Sequence, residues 1–169
     1  IVTGAGQGIG EGYAHALARE GASVVVADIN DENAANVVAA IEAEGGTALA
    51  VHVDVSDPDS CIAMAAATVE RFGRIDHLVN NAAIYHSMEI NGLLRIDLDY
   101  YRKFMDVNMN GAIYATRAVW RELRKQEGAA VVNQWSTAAW MAAGFSGVAK
   151  AALNSITINL AAEMASMGI

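Results

Sequence analysis

Cysteine occurs once in this chain, at Cys61, so no disulfide can close within it. A reducing, cytoplasmic setting is the expectation. No apolar run approaches the length of a membrane span, and no signal peptide is visible, so no membrane partner is expected. Positive charge is scarce: 11 lysines and arginines stand against 19 aspartates and glutamates, a net charge of −8. That balance argues against nucleic acid or an anionic surface as a partner. The histidines (His15, His52, His77 and His86) are scattered without metal-ligand spacing, so no metal is expected. No Gly-Lys-Ser/Thr follows the glycine cluster, which excludes a P-loop phosphotransferase. Linkers, low-complexity tracts and repeats beyond a strand–helix unit are missing too. There is no initiating methionine, and Ile1 already lies inside a strand pattern, so a truncated N-terminus is expected. What is there is 54% hydrophobic and 18% charged over 169 residues. This composition excludes a disordered chain and predicts one domain, residues 1–169, with a substantial core.

The chain is organised around Val2-Thr3-Gly4-Ala5-Gly6-Gln7-Gly8-Ile9-Gly10. This stretch reads as the end of a buried strand, a glycine-rich turn and the first turn of a helix. Gly4, Gly8 and Gly10 allow positive φ and close approach of other backbone. The opening helix aims free N–H groups and its positive dipole end at whatever fills the turn. A diphosphate is the natural occupant, with Gln7 and Ile9 beside it. The spacing is Thr-Gly-x-x-x-Gly-x-Gly. The G-x-G-x-x-G register fails, because Glu11 stands where its last glycine belongs.

Strand and helix patterns alternate onward. Ile9, Tyr13, Ala16 and Leu17 share one helical face. Ser23 to Ala27 is a β-branched run suited to a buried parallel strand. Asp31 is expected to cap a helix with the stripe Ala34, Val37, Val38 and Ile41, closed by Gly45-Gly46. Thr47 to Val53 is the third strand. Pro58 starts a helix with Ile62, Ala65, Ala66 and Val69 inward, ended by Gly73. Ile75 to Val79 is the fourth strand, followed by a loop from Asn81 to Asp97. A helix through Tyr101, Phe104 and Met105 starts at Asp97 or Asp99 and is interrupted at Asn108 to Gly111. Another runs from Ala112 to Lys125. Ala129 to Gln134 is the fifth strand, and a last helix covers Val148 to Met167. Repeated β–α–β units imply a doubly wound parallel sheet, α/β and Rossmann-like, in three α/β/α layers with right-handed crossovers. Its ligands bind beyond the carboxyl ends of the strands, where strand order reverses.

Three polar groups fall at such strand ends. Asp28 closes the second strand, 18 positions after Gly10. A carboxylate there accepts both ribose hydroxyls of an adenosine and repels a 2′-phosphate, so NAD is expected over NADP. Asp31 fills the capping role, leaving Asp28 for that function. Asp54 and Val55 follow the third strand. Asp54 could bond an adenine amino group, or serve only as a turn residue. Asn80-Asn81-Ala82-Ala83 follows the fourth strand, either as a turn or as small residues against which a cofactor lies flat.

Together these residues resemble the short-chain dehydrogenase/reductase family. The resemblance covers the whole chain through Thr3 to Gly10, Asp28, Asp54, Asn80-Asn81-Ala82-Ala83, Asn108, Ser136 and Lys150, in order. It implies hydride transfer between NAD and a small alcohol or ketone, in a homodimer or homotetramer built on the two long helices. It also implies that Gly4, Gln7, Gly8, Ile9, Gly10, Asp28, Asp54, Val55, Asn81, Ala82 and Lys150 hold the cofactor. Asn108, Ser136 and Lys150 take catalytic positions, with Ser146 at the position of the family's proton-donating Tyr. Another Rossmann-type enzyme, such as a methyltransferase, would explain the glycines and Asp28 but not Asn108, Ser136 and Lys150.

The departures concern chemistry. Ser146 stands four residues before Lys150, where the family has the Tyr. A serine hydroxyl is shorter and far less acidic than a phenol, so the expectation is a catalytically impaired chain that still binds dinucleotide. Tyr85 and Tyr114 are phenols with no sequence reason to meet Lys150. Trp135 is bulky beside Ser136, where the family has a small residue. Ala83 replaces the usual Gly. Members also continue with at least one further strand after the sixth main helix, so a fragment of a longer chain is expected. Cys61 is expected to be buried packing. The tryptophans, with Tyr100 and Tyr101, are expected in core and pocket wall.

Overall fold

The computed structural model describes residues 1–89 and 91–169. Five parallel strands form one sheet: β1 (Val2–Thr3), β2 (Ser23–Asp28), β3 (Thr47–His52), β4 (His77–Asn80) and β5 (Ala130–Asn133). Their order is β3-β2-β1-β4-β5. The first three strands step outward on one side of β1, and the chain then crosses to the other side. The order therefore reverses between β1 and β4. Val2 pairs with Val26 and with Val79, which places the ends of these strands in register.

Helices cover both faces. On one side α1 (Gly8–Arg19) and α2 (Asp31–Ala43) pack Ala14, Ala18, Ala34, Val37 and Ile41 onto Val2, Val24, Val26 and Val79. On the other, α3 (Pro58–Phe72) and α5 (Gly111–Leu123) bury Cys61, Met64, Val119 and Leu123 against Val25, Ala27 and Leu78. Alternate β2 residues thus serve opposite layers, as a strand covered on both faces requires. Full burial of Met64, Leu78 or Leu123 contributes roughly 1.5–3 kcal/mol each. A third cluster joins α4 (Leu98–Met105) to the start of α6 (Gly144–Met164). There Phe104 and Phe145 meet edge to face at 4.6 Å.

Several local expectations are corrected. The cap of α2 is Asn30, whose side chain accepts from Asn33 N–H at 2.9 Å. Asp31 is already helical and faces His52 Nδ1 at 2.8 Å. Ile9 and Ile62 were expected on buried faces, yet they are 64% and 57% exposed. The buried stripe of α1 is Gly10, Ala14 and Ala18, and that of α3 is Cys61, Met64, Ala65 and Thr68. Each lies one position away from the stripe the apolar pattern suggested. Asp97 rather than Asp99 caps α4, accepting from Asp99 and Tyr100 N–H. No break follows α4: Asp106–Asn110 is a π-helical turn leading directly into α5. Asn108 Nδ2 donates to the Phe104 carbonyl at 3.0 Å. A side chain that occupies the i−4 carbonyl competes with the regular α ladder, and the backbone widens there. The last helix starts at Gly144, four residues before the expected Val148, and a 3₁₀ turn at Thr137–Trp140 precedes it.

Candidate functional site

The carboxyl ends of β1 and β4 open onto the glycine turn at the reversal of strand order. Gly4 lies over Ala82: a Cβ on Gly4 would stand 2.7 Å from Ala82 Cα, and its φ is +63°. Thr3 locks the two strand ends together. Its hydroxyl donates to the Val79 carbonyl and accepts from Asn81 and Ala82 N–H, the latter two at 3.1 Å. Asn81 Nδ2 donates to the carbonyls of Thr3 and Gly4, both at 3.0 Å. Asn81 and Ala82, expected to line a cofactor, thus first of all fix the turn. Asn80 does likewise from below, where its buried Nδ2 reaches Ala112, Thr116 and Asn133.

Asp28 turns toward this crevice. Oδ2 accepts from Gly6 N–H at 2.8 Å and Oδ1 from Asn30 N–H at 2.9 Å. A carboxylate has about four acceptor sites, so two remain for a ligand. Gly6 is what permits the approach, since a Cβ there would meet Asp28 Oδ2 at 2.9 Å. The helix behind the turn has no side-chain cap at Gln7, whereas Asn30, Asp57 and Asp97 cap α2, α3 and α4. Nothing lies within 4 Å of the direction a Gly8 side chain would take. An uncapped helix start facing open space, with a carboxylate beside it, fits a dinucleotide: amides for the pyrophosphate, Asp28 for the ribose. Gln7, Gly8 and Ile9 are exposed around that space.

Asp54 carries a turn of its own, with Oδ1 accepting from Ser56 N–H at 2.9 Å and Ser56 Oγ at 2.6 Å. Val55 is buried. It lines a small cavity with Thr3, Asn80, Asn108, Gln134 and Lys150. Lys150 is the one titratable side chain on that lining. Its Nζ donates to the Gln134 carbonyl at 3.2 Å. Burial holds its ammonium below the ordinary lysine range, because no carboxylate offsets the lost hydration. Asn108 and Lys150 are therefore brought together.

Ser136 caps the 3₁₀ turn, accepting from Ala138 N–H at 3.2 Å. Ser146 is half-buried one turn before Lys150 on α6, and its hydroxyl has no partner among the described residues. No tyrosine is hydrogen-bonded to Lys150 in those residues. Tyr85 is 76% exposed and stacks on His86, while Tyr114 packs against the core beside α3. Trp135 meets Trp140 at 4.3 Å, and its indole N–H is buried without an acceptor among the described residues. Trp140, expected in core or pocket wall, is instead 73% exposed. Cys61 is fully buried, and burial pushes its thiol up to about 12, the expected packing role. Sequence reasoning names Thr3 only as part of the glycine motif and gives Tyr13 and Gln134 no role at the site. Thr3 alone left a signal, a hydroxyl immediately before Gly4.

A doubly wound parallel sheet with a glycine turn at its switch point defines a Rossmann-like α/β protein. The family description "short chain dehydrogenase" matches residues 1–169, and the chain belongs to that family. It is 57% identical over 169 residues to an uncharacterized oxidoreductase of Mycobacterium tuberculosis, covering all of this chain and 68% of that protein. It is 38% identical over 174 residues to the 3-oxoacyl-[acyl-carrier-protein] reductase of a Synechocystis strain, covering all of this chain and 69% of the relative. A short-chain type dehydrogenase/reductase from Mycobacterium marinum superposes with a TM-score of 0.92 at 28% identity, covering 99% of this chain and 67% of that one. The family is one of oxidoreductases that bind a nicotinamide dinucleotide, NAD or NADP. No described helix is long and apolar enough to cross a membrane.

Proposed function

We propose that residues 1–169 form one dinucleotide-binding unit that takes NAD(H) and serves hydride transfer to or from a small alcohol or ketone. The observation that carries the NAD reading is Asp28, whose carboxylate is bonded to Gly6 N–H beside the uncapped start of α1. A negative charge there favours a ribose diol and disfavours a 2′-phosphate. Fluorescence titration with NADH and NADPH tests it. Asp28→Asn is expected to weaken NADH about tenfold, a loss of roughly 1.4 kcal/mol, and to narrow the preference for NADH over NADPH. Equal affinity for the two in the unaltered chain sinks the NAD assignment.

When bound, the nicotinamide supplies the hydride acceptor or donor. The chain's own contribution is to orient and to manage a proton. Asn108 and Lys150 line one cavity, and Ser136 lies two residues beyond the carbonyl that holds Lys150. What the arrangement lacks is a phenol between Lys150 and the substrate oxygen. Ser146 supports a second reading, a catalytically impaired homologue that binds dinucleotide or a partner subunit and turns over little.

The cytoplasmic setting stays part of the proposal, as does a small-molecule substrate rather than nucleic acid, given the net charge of −8. So does self-association as a homodimer or homotetramer. Ile158 and Val148 on α6 are 69% and 41% exposed, which supports an apolar contact along that helix. Sedimentation velocity should return a dimer or tetramer. A monomer at micromolar concentration would remove this part.

A further inference from the structure

Four parts of the chain meet at Gln134. Its N–H donates to the Asn80 carbonyl at 2.9 Å, continuing the β4–β5 pairing. Its carbonyl oxygen accepts from Lys150 Nζ at 3.2 Å. The side-chain Oε1 accepts from the Tyr13 hydroxyl at 2.5 Å, and Nε2 donates to the Trp135 carbonyl at 3.0 Å. The orientation of this amide is determined by chemistry. A carbonyl can only accept, so the NH₂ end must face Trp135 and the oxygen must face Tyr13. The phenol is therefore the donor, across 121 positions of sequence.

Lys150 depends on this residue more than a surface lysine would on any partner. Its ammonium is half-buried. The polar side chains lining the cavity with it, Thr3, Asn80, Asn108 and Gln134, are all neutral. Gln134 O is the one acceptor bonded to Nζ among the described residues. That carbonyl lies beyond the last β4–β5 bond, Gln134 N–H to Asn80 O, on the first residue past β5, where a peptide is free to rotate unless its flanks are held. Tyr13 and the Trp135 carbonyl hold both ends of the Gln134 side chain.

We propose that Tyr13 and Gln134 are positioning residues for Lys150, the phenol–amide bond fixing the peptide whose carbonyl holds the ammonium. Tyr13 stands on α1 three positions after Gly10. The helix whose start faces the crevice is thus joined through one hydrogen-bonded residue to the cation on α6. The position of α1 is thereby coupled to Lys150 by this route as well as through the sheet. The functional meaning of this link rests on the catalytic reading of Lys150 given above, but its geometry and its test do not.

The chain has three lysines, Lys103, Lys125 and Lys150, which makes the test specific. Amines of the whole chain are acetylated with trace acetic anhydride across a pH series, and each lysine is read by mass spectrometry. Tyr13→Phe is expected to lower the labelling midpoint of Lys150 by about half a pH unit, a roughly threefold change in the charged-to-neutral ratio, because a buried ammonium loses a well-placed acceptor. Gln134→Met is expected to do the same. The double variant should shift no further than Gln134→Met alone, since Gln134→Met already removes the one bond that Tyr13→Phe removes. Lys103 and Lys125 should not move. An unmoved or raised Lys150 midpoint in both single variants overturns the proposal, as does an equal shift of all three lysines, which would mark general loosening. NADH titration of the same samples separates the two ideas. A wild-type chain that binds no dinucleotide defeats the functional reading and leaves the lysine readout intact. Full binding with an unmoved midpoint defeats the positioning role alone.

Discussion

Ser146→Tyr is expected to raise NAD-dependent alcohol turnover by about two to four orders of magnitude, the usual contribution of a placed acid–base group. The helical spacing is already right. Ser146 and Lys150 are one turn apart on α6, so a side chain at 146 and the ammonium lie on one face. Lys150 is a cation without a carboxylate partner among the described residues, and burial disfavours its charge. A phenolate beside it would relieve that penalty, and the same attraction would draw the phenol from its ordinary value of about 10 toward neutrality. Alcohol oxidation needs the deprotonated phenol, so turnover of the variant should rise with pH through that lowered value and then level off. The serine hydroxyl has no comparable titration in this range. Ser146→Phe is the control, because it supplies the ring without the proton and should gain nothing. Turnover is followed by NADH absorbance over a panel of alcohols and ketones. Appreciable rates in the unaltered chain, or an equal gain from Phe, would show that proton transfer does not pass through this position.

The sequence made the switch-point site legible wherever a residue type has few other uses. A threonine followed by spaced glycines after a β-branched strand has a narrow structural meaning, and Gly4, Gly8 and Gly10 stand where backbone must bend or approach. Asp28 was legible as a carboxylate at a strand end, although the supporting reason was wrong. Asn30 caps α2, not Asp31, and Asp28 itself accepts the Asn30 N–H. The inward face of α1 lies one position from its apolar pattern because Gly10, Ala14 and Ala18 carry little apolar contrast, and that of α3 is offset likewise, with Thr68 buried and Ile62 exposed. Ile9 then serves the crevice side rather than the core. The π turn at Asp106–Asn110 looks like a break in the local sequence. Nothing local distinguishes an asparagine that ends a helix from one that bonds back to its i−4 carbonyl and widens it. Gln134 was invisible for a stronger reason: its meaning depends on Tyr13 and Lys150, which only the packed sheet brings to it.

Two glycines of the same turn separate folding from binding. Gly10→Ala is expected to destabilise the chain by at least about 3 kcal/mol, beyond ordinary overpacking. Its Cβ would stand 2.2 Å from the Gly4 carbonyl oxygen and 2.5 Å from Asn81 Nδ2. Neither can retreat. Gly4 is pressed on Ala82, and Asn81 holds the ends of β1 and β4 together. A melting temperature lower by roughly 6–12 °C is the readout for a chain of this size. Gly8→Ala differs in kind. Its Cβ meets nothing within 4 Å, but Gly8 has φ of +63°, so the cost is backbone strain of about 1–2 kcal/mol. The new methyl would project into the space assigned to the pyrophosphate. NADH affinity should therefore fall by more than tenfold, while melting shifts only modestly. Gly12→Ala completes the set, since it lies inside α1 with open space around it and should stabilise by roughly 0.5–1 kcal/mol. If Gly8→Ala binds NADH as well as the unaltered chain does, the helix start is not the anion seat, and Asp28 loses the partner that gave its position meaning.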